Sequence, residues 1–169
     1  MLKWFGVSLI VLGCGGVGLS MARQYVAQIA ALKHLIIVLD YMVNDLGYRQ
    51  TPLPELCRCG AKLSAGIVSQ VFTALAEQLE SQTLSDAPGC MEQALALQKG
   101  MPNGLSTYFG QLGKSLGCFD VAGQVQGITA VRENCVKELN TLESDKTNRI
   151  RNYQTLGLCA GAALAILLI

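Results

Sequence analysis

The sequence predicts an all-α protein, a helical bundle domain flanked by N- and C-terminal transmembrane helices. Three observations predict it. First, the 13 basic and 12 acidic side chains all lie between Lys3 and Arg151, while Trp4–Ala22 and Asn152–Ile169 carry none. Second, apolar residues in the charged middle recur at steps of three and four, the spacing of one helix face. Third, no alternation of strands with helices is readable after Asp40, so a parallel sheet has no material. The overall charged fraction of 15% is well below the roughly 25% of ordinary soluble domains, as expected of a membrane-tethered domain. A net charge of +1 gives no reason to expect a nucleic-acid partner.

The first element is the uncharged run Trp4–Ala22, in which Ser8 and Ser20 are the polar residues. As a helix it spans about 28 Å, close to the hydrocarbon thickness of a bilayer. Lys3 and the small residues Ser20-Met21-Ala22 also suit a secretory signal, but the apolar run exceeds the usual length of a signal core, so an anchor is preferred. The same run contains Gly13-Cys14-Gly15-Gly16-Val17-Gly18, a literal G-x-G-x-x-G. Preceded by a strand, it would be a phosphate-binding turn, with Asp40 about twenty residues on as the ribose-binding acid. A small dinucleotide-binding α/β protein is therefore the alternative reading. It requires Leu35–Leu39 to be a second strand, and the pattern there points to a helix instead. Tyr25, Ile29, Leu32, Ile36, Leu39, Val43 and Leu46 continue through it with no turn signal, an a/d seam facing a partner.

Gly47 is expected to end that helix, and Tyr48–Thr51 to form a turn. Thr51 then Pro52 reads as an N-cap followed by the first helical residue, with Glu55 in the first turn of a short helix to about Leu63. Ile67, Val68, Val71, Phe72, Leu75 and Leu79 mark the next helix, ended by polar 80–83. Ser85-Asp86 begins another, carrying Met91, Ala94, Leu95 and Leu97. Gly100, Pro102 and Gly104 make 99–104 a loop. Leu105–Leu116 is a short helix whose Gly110 and Gly113 suggest close packing. Asp120 caps a long helix marked by Val121, Val125, Ile128, Val131, Cys135, Leu139 and Leu142, with 143–151 as its polar neck. From Tyr153 the chain is uncharged, and it covers about 26 Å as a helix, enough for a second span. The expected organisation is anchor 1–22, helical domain 23–152 and anchor 153–169. Gly15 and Gly18 at one end, and Gly157 and Gly161 at the other, are small residues suited to close helix packing in a membrane and to self-association as a homo-oligomer. Arg23, Lys33, Lys146, Arg149 and Arg151 against Lys3 place the middle domain in the cytoplasm.

No constellation for catalysis is present. His34 stands without a triad partner, and Asp40 and Asp45 are expected to face solvent. Gly113-Lys114-Ser115 matches the end of a phosphate loop, but Tyr108 occupies the place of its first glycine. Seven scattered cysteines, with Cys57-x-Cys59 as the nearest pair, do not form a zinc pattern and read as reduced thiols. No enzyme, cofactor or metal is expected; a helical platform works through its surfaces.

Four stretches together resemble the stage III sporulation protein AB family of endospore-forming bacteria. They are Met1-Leu2-Lys3 with the apolar anchor, Tyr48-Arg49-Gln50-Thr51-Pro52-Leu53-Pro54-Glu55, Leu112 to Gln124, and Tyr153-Gln154-Thr155-Leu156-Gly157 with its apolar tail. The resemblance implies a cytoplasmic helical domain similar to the type II secretion F platform protein, in the mother-cell membrane. It also implies a place in the channel complex between mother cell and forespore. The expected partners are a secretion-type ATPase, stage III sporulation protein AA, and other stage III sporulation channel proteins. The turns that carry the resemblance supply the candidate docking residues: Tyr48, Thr51, Pro52, Leu53, Pro54 and Glu55 in one, Leu116, Gly117, Asp120 and Gln124 in the other.

Overall fold

The structure, a computed structural model, describes residues 2–49, 51–81, 86–102, 104–117 and 120–168. Side-chain surroundings are described from Ser20 onward, apart from residues 147, 148, 150, 153, 154, 156–158 and 160–168. Six helices follow one another: α1 (Leu2–Tyr48), α2 (Leu53–Leu63), α3 (Gly66–Ser81), α4 (Ala87–Ala96), α5 (Leu105–Leu116) and α6 (Val121–Leu168). No strand occurs among the described residues. The all-α expectation holds, and the element order matches it closely. Residues 13–18 lie inside α1 as uninterrupted helix, and so does Leu35–Leu39. The strand–turn–helix that a dinucleotide would need is therefore absent from that stretch.

The chain forms two compact units, residues 28–140 and the paired ends 1–27 with 141–169. In the larger unit, α2 packs on α3, α3 on α4 and α4 on α5. The core there is built from apolar stripes: Leu32, Leu35, Leu39 and Met42 of α1, Leu56 of α2, Phe72 and Leu75 of α3, Met91 of α4, Phe109 and Leu112 of α5, and Ile128 of α6, all essentially without exposure. The α1 stripe is wider than the predicted seam. Ile36 and Val43 are half-buried, whereas Leu35, Val38 and Met42 are fully buried. A helix in a globular bundle buries a broader face than a two-stranded coiled coil, so positions beside the a/d seam go inside.

Small residues set how closely the helices approach. A Cβ on Gly60 of α2 would stand 2.7 Å from Val38 Cγ1 of α1, and one on Gly113 of α5 would stand 2.8 Å from Met91 Cβ of α4. Gly127 brings α6 against Ser115 of α5 in the same way, with a Cβ only 2.5 Å from Ser115 Oγ. Of the two α5 glycines, Gly113 thus packs closely as expected, and Gly110 meets nothing within 4 Å. The 99–104 loop turns through Gly100 and Gly104, whose φ of 78° and 80° suit residues without a Cβ.

In the smaller unit, the Tyr25 hydroxyl of α1 donates a buried hydrogen bond of 2.7 Å to the Leu142 carbonyl of α6. The Arg149 guanidinium lies 5.9 Å from the centre of the Tyr25 ring and also pairs with Asp145. Gly15, Gly18, Gly157 and Gly161 fall on helical backbone whose side-chain surroundings are outside the described set.

Among the described residues, one stretch, Ser20–Tyr48, is long and apolar enough to cross a membrane by length and composition. Much of it is instead the α1 contribution to the bundle core: Leu32, Leu35, Val38, Leu39 and Met42 are at most 1% exposed. A core helix passes the same test as a membrane helix, and this burial explains the apolar composition after residue 28 without lipid.

Candidate functional site

The first turn of interest joins α1 to α2. Tyr48 ends α1 and is 88% exposed, an unusual setting for a large aromatic residue. Thr51 follows half-buried, Pro52 exposed, Leu53 and Pro54 half-buried, and Glu55 exposed. Two sequence expectations are corrected here. Thr51 is not the N-cap: α2 starts at Leu53, Pro52 occupies the cap position without a side-chain cap bond, and Pro54 stands in the first turn. Pro52 sits in extended backbone, with φ of −52° and ψ of 138°, so it precedes the helix. The second correction is Asp45, expected in solvent but only 5% exposed.

Asp45 is what holds this turn. Its Oδ2 accepts the backbone N–H of Thr51 at 3.3 Å, and its backbone carbonyl accepts the Arg49 N–H at 2.7 Å. Its Oδ1 also receives the Tyr41 hydroxyl, at 3.5 Å. A negative side chain in the last turn of a helix works against the helix dipole. The bond to Thr51 compensates by satisfying an amide that the chain reversal would otherwise leave unpaired. The Tyr41 hydroxyl is pushed up to about 12, first by its hydrogen bond with the Cys59 thiol of α2, then by burial and the nearby Asp45. It stays protonated at neutral pH and able to donate to Asp45. Asp40 keeps its side chain 45% exposed, facing solvent as expected, and pairs with Arg132 of α6, 92 residues away in sequence.

The second turn joins α5 to α6, and its candidate residues separate by burial. Leu116 is 3% exposed and belongs to the core rather than to a surface. Phe109, Leu112 and Leu116 share the buried face of α5. Gly117 is exposed on one side and pressed on the other against Pro88 of α4, where a Cβ would stand 3.0 Å from its Cδ. Asp120 caps α6 as expected, accepting the Gly123 N–H at 2.7 Å. Gly123 allows that approach, since a Cβ there would fall 2.7 Å from Asp120 Oδ1. Gln124 reaches back, its Nε2 donating to the Leu116 carbonyl at 3.4 Å. Cys118 and Phe119 lie outside the described residues. Each turn is held by its own bonds, one through Asp45 and the other through Asp120 and Gln124.

The described cysteines, Cys57, Cys59, Cys90, Cys135 and Cys159, are free thiols. Burial pushes Cys57 and Cys135 up to about 12, and pushes Cys90 up as well. Unfolded thiols ionise near 8.5. The raised folded values therefore add stability that is complete below about pH 8 and is lost as pH rises toward 12. The melting temperature of the full chain in detergent is expected to fall progressively above about pH 9. Thiol reagents at pH 8 are expected to reach the half-buried Cys59 well before Cys57, Cys90 and Cys135. Mass spectrometry of the labelled sites checks the order, and rapid native labelling of Cys57 or Cys135 would contradict it.

The model of the family described as stage III sporulation protein AB matches residues 3–169. The chain belongs to the stage III sporulation protein AB family. A curated relative, stage III sporulation protein AB of Bacillus subtilis (strain 168), is 27% identical over 99% of both chains. A solved structure, also of a stage III sporulation protein AB, superposes with a TM-score of 0.64 at 22% identity, covering 72% of this chain and 98% of that one. At that identity the superposition speaks for the fold. The family assigns the chain to sporulation, and the described contacts show how its family-like turns are built.

Proposed function

We propose that this stage III sporulation protein AB family member is a non-enzymatic membrane platform in the channel complex between mother cell and forespore. Residues 1–22 and 153–169 anchor it in the mother-cell membrane, residues 23–152 form its cytoplasmic domain, and a secretion-type ATPase, stage III sporulation protein AA, docks on that domain. Other stage III channel proteins complete the assembly, and Gly15, Gly18, Gly157 and Gly161 pack the anchors.

The observation that carries the docking reading is Tyr48, an almost fully exposed aromatic residue on a turn fixed from beneath by buried Asp45. Protein interfaces concentrate their binding energy in such aromatic residues, and a pinned backbone avoids the entropy cost of ordering a loose loop. Asp120 and Gly117 present a second exposed turn, while Leu116 is withdrawn from the surface into a structural role.

A photo-crosslinking amino acid in place of Tyr48, in the full chain reconstituted with the ATPase, is expected to give a crosslinked product of the two proteins. The same probe in place of Leu97, 63% exposed at the end of α4, serves as the control. Equal yields at the two positions, or none at Tyr48, would overturn the docking assignment.

A further inference from the structure

The unit formed by residues 1–27 and 141–169 carries a band of charge that the platform reading uses only for orientation. Tyr25 and Arg149 form its joint: the hydroxyl bonds to the Leu142 carbonyl and the guanidinium lies over the ring. Arg23 stands two residues before Tyr25 on α1, and Lys146 and Arg151 stand three before and two after Arg149 on α6. All three are exposed. At 1.5 Å per residue they lie within about 5 Å of the joint along their helices. Glu143 and Asp145 share the region, and Asp145 is paired with Arg149. On the far side of the band, Trp4–Ala22 and Asn152–Ile169 contain no charge of either sign. The cations thus border the two uncharged stretches.

We infer that Arg23, Lys146 and Arg151 form a collar that binds the headgroups of anionic phospholipids. The inference rests on the anchor reading, which puts this band at the membrane surface. Charge complementarity identifies the occupant: exposed basic residues beside a membrane-spanning helix are attracted to anionic lipid phosphates at the depth of the headgroups. Tyr25 and Arg149 keep the two basic segments together, so both contribute to one collar. The consequence is selection of the lipid environment in which the platform sits.

The test uses the full chain in vesicles. Trp4, the single tryptophan, is replaced by phenylalanine, and exposed Gln24 is replaced by tryptophan to report from the collar. Quenching by brominated phosphatidylglycerol is compared with quenching by brominated phosphatidylcholine. The anionic lipid is expected to be favoured at least about threefold. That preference is expected to vanish in the variant combining Arg23→Gln, Lys146→Gln and Arg151→Gln, and to shrink in 1 M salt, where the screening length falls to about 3 Å. Equal quenching by the two lipids would overturn the collar while leaving the anchor standing. A preference that persists in the triple variant or in high salt would also overturn it. Quenching by neither lipid would remove the anchor reading, and the collar with it.

Discussion

Truncating Phe109 to alanine is expected to lower the unfolding free energy by about 3–5 kcal/mol. The ring is fully buried in α5 and meets Phe72 of α3 edge to face, with centroids 5.7 Å apart and planes at 65°. An edge-to-face pair adds about 0.5–1.5 kcal/mol beyond the area it buries. α5 also packs on α4 and meets α6 at Gly127, and this pair ties it across to the α2–α3 hairpin. Collapse around the gap is hindered because neighbouring approaches are already tight: Gly113 lies against Met91, and Ser115 against Gly127. Since domains are stable by only about 5–15 kcal/mol, the loss of about 3–5 kcal/mol consumes about a fifth or more of what is available. Urea unfolding of the full chain in detergent, followed by circular dichroism, measures it. Leu97→Ala on the surface of the same unit is the control, expected to change stability by no more than about 0.5 kcal/mol. A Phe109→Ala loss below about 1 kcal/mol would mean that α5 is not held by this core.

Most of the architecture was legible because each helix carries its own period and punctuation. Gly100, Pro102 and Gly104 broke the chain where the structure turns, and Asp120 announced its helix three residues before the amide it caps. What escaped were features set by tertiary contact. Nothing local distinguishes Leu35 and Met42 as core from Ile36 and Val43 as flank; the number of helices around α1 decides it, and that is a property of the assembled bundle. Asp45 escaped for a related reason. A carboxylate late in a helix reads as solvated, and its burial follows from the chain reversing so that the Thr51 amide comes back to it. The signal available was the conflict itself, an acid placed against the helix dipole six residues before Thr51-Pro52. Leu116 was different, because its spacing after Phe109 and Leu112 already placed it on the buried face. Resemblance in a turn drew it into the docking set, and packing returns it to the core.

If the proposed ATPase docks on this turn, replacing Tyr48 by alanine is expected to weaken that binding at least about 30-fold, equivalent to about 2 kcal/mol, while leaving stability within about 0.5 kcal/mol. The separation follows from burial. At 88% exposure the Tyr48 ring contributes little to the fold, so under the proposed docking its loss is felt in binding and not in stability. Asp45 supplies the complementary arm. Asp45→Ala deletes the acceptor of the Thr51 N–H and is expected to cost about 1–3 kcal/mol of stability. It also weakens binding, because Tyr48 is then presented from a turn that must be ordered again on association. Asp45→Asn keeps an oxygen in the same place and is expected to restore most of both. Titration calorimetry of each full-length variant against the ATPase, alongside its urea midpoint, resolves the three patterns. Binding of Tyr48→Ala at wild-type affinity by a folded protein would remove the α1–α2 turn from the interface. Equal losses of affinity for the two Asp45 variants would show that the Asp45 charge, rather than a pinned backbone, is what the ATPase reads.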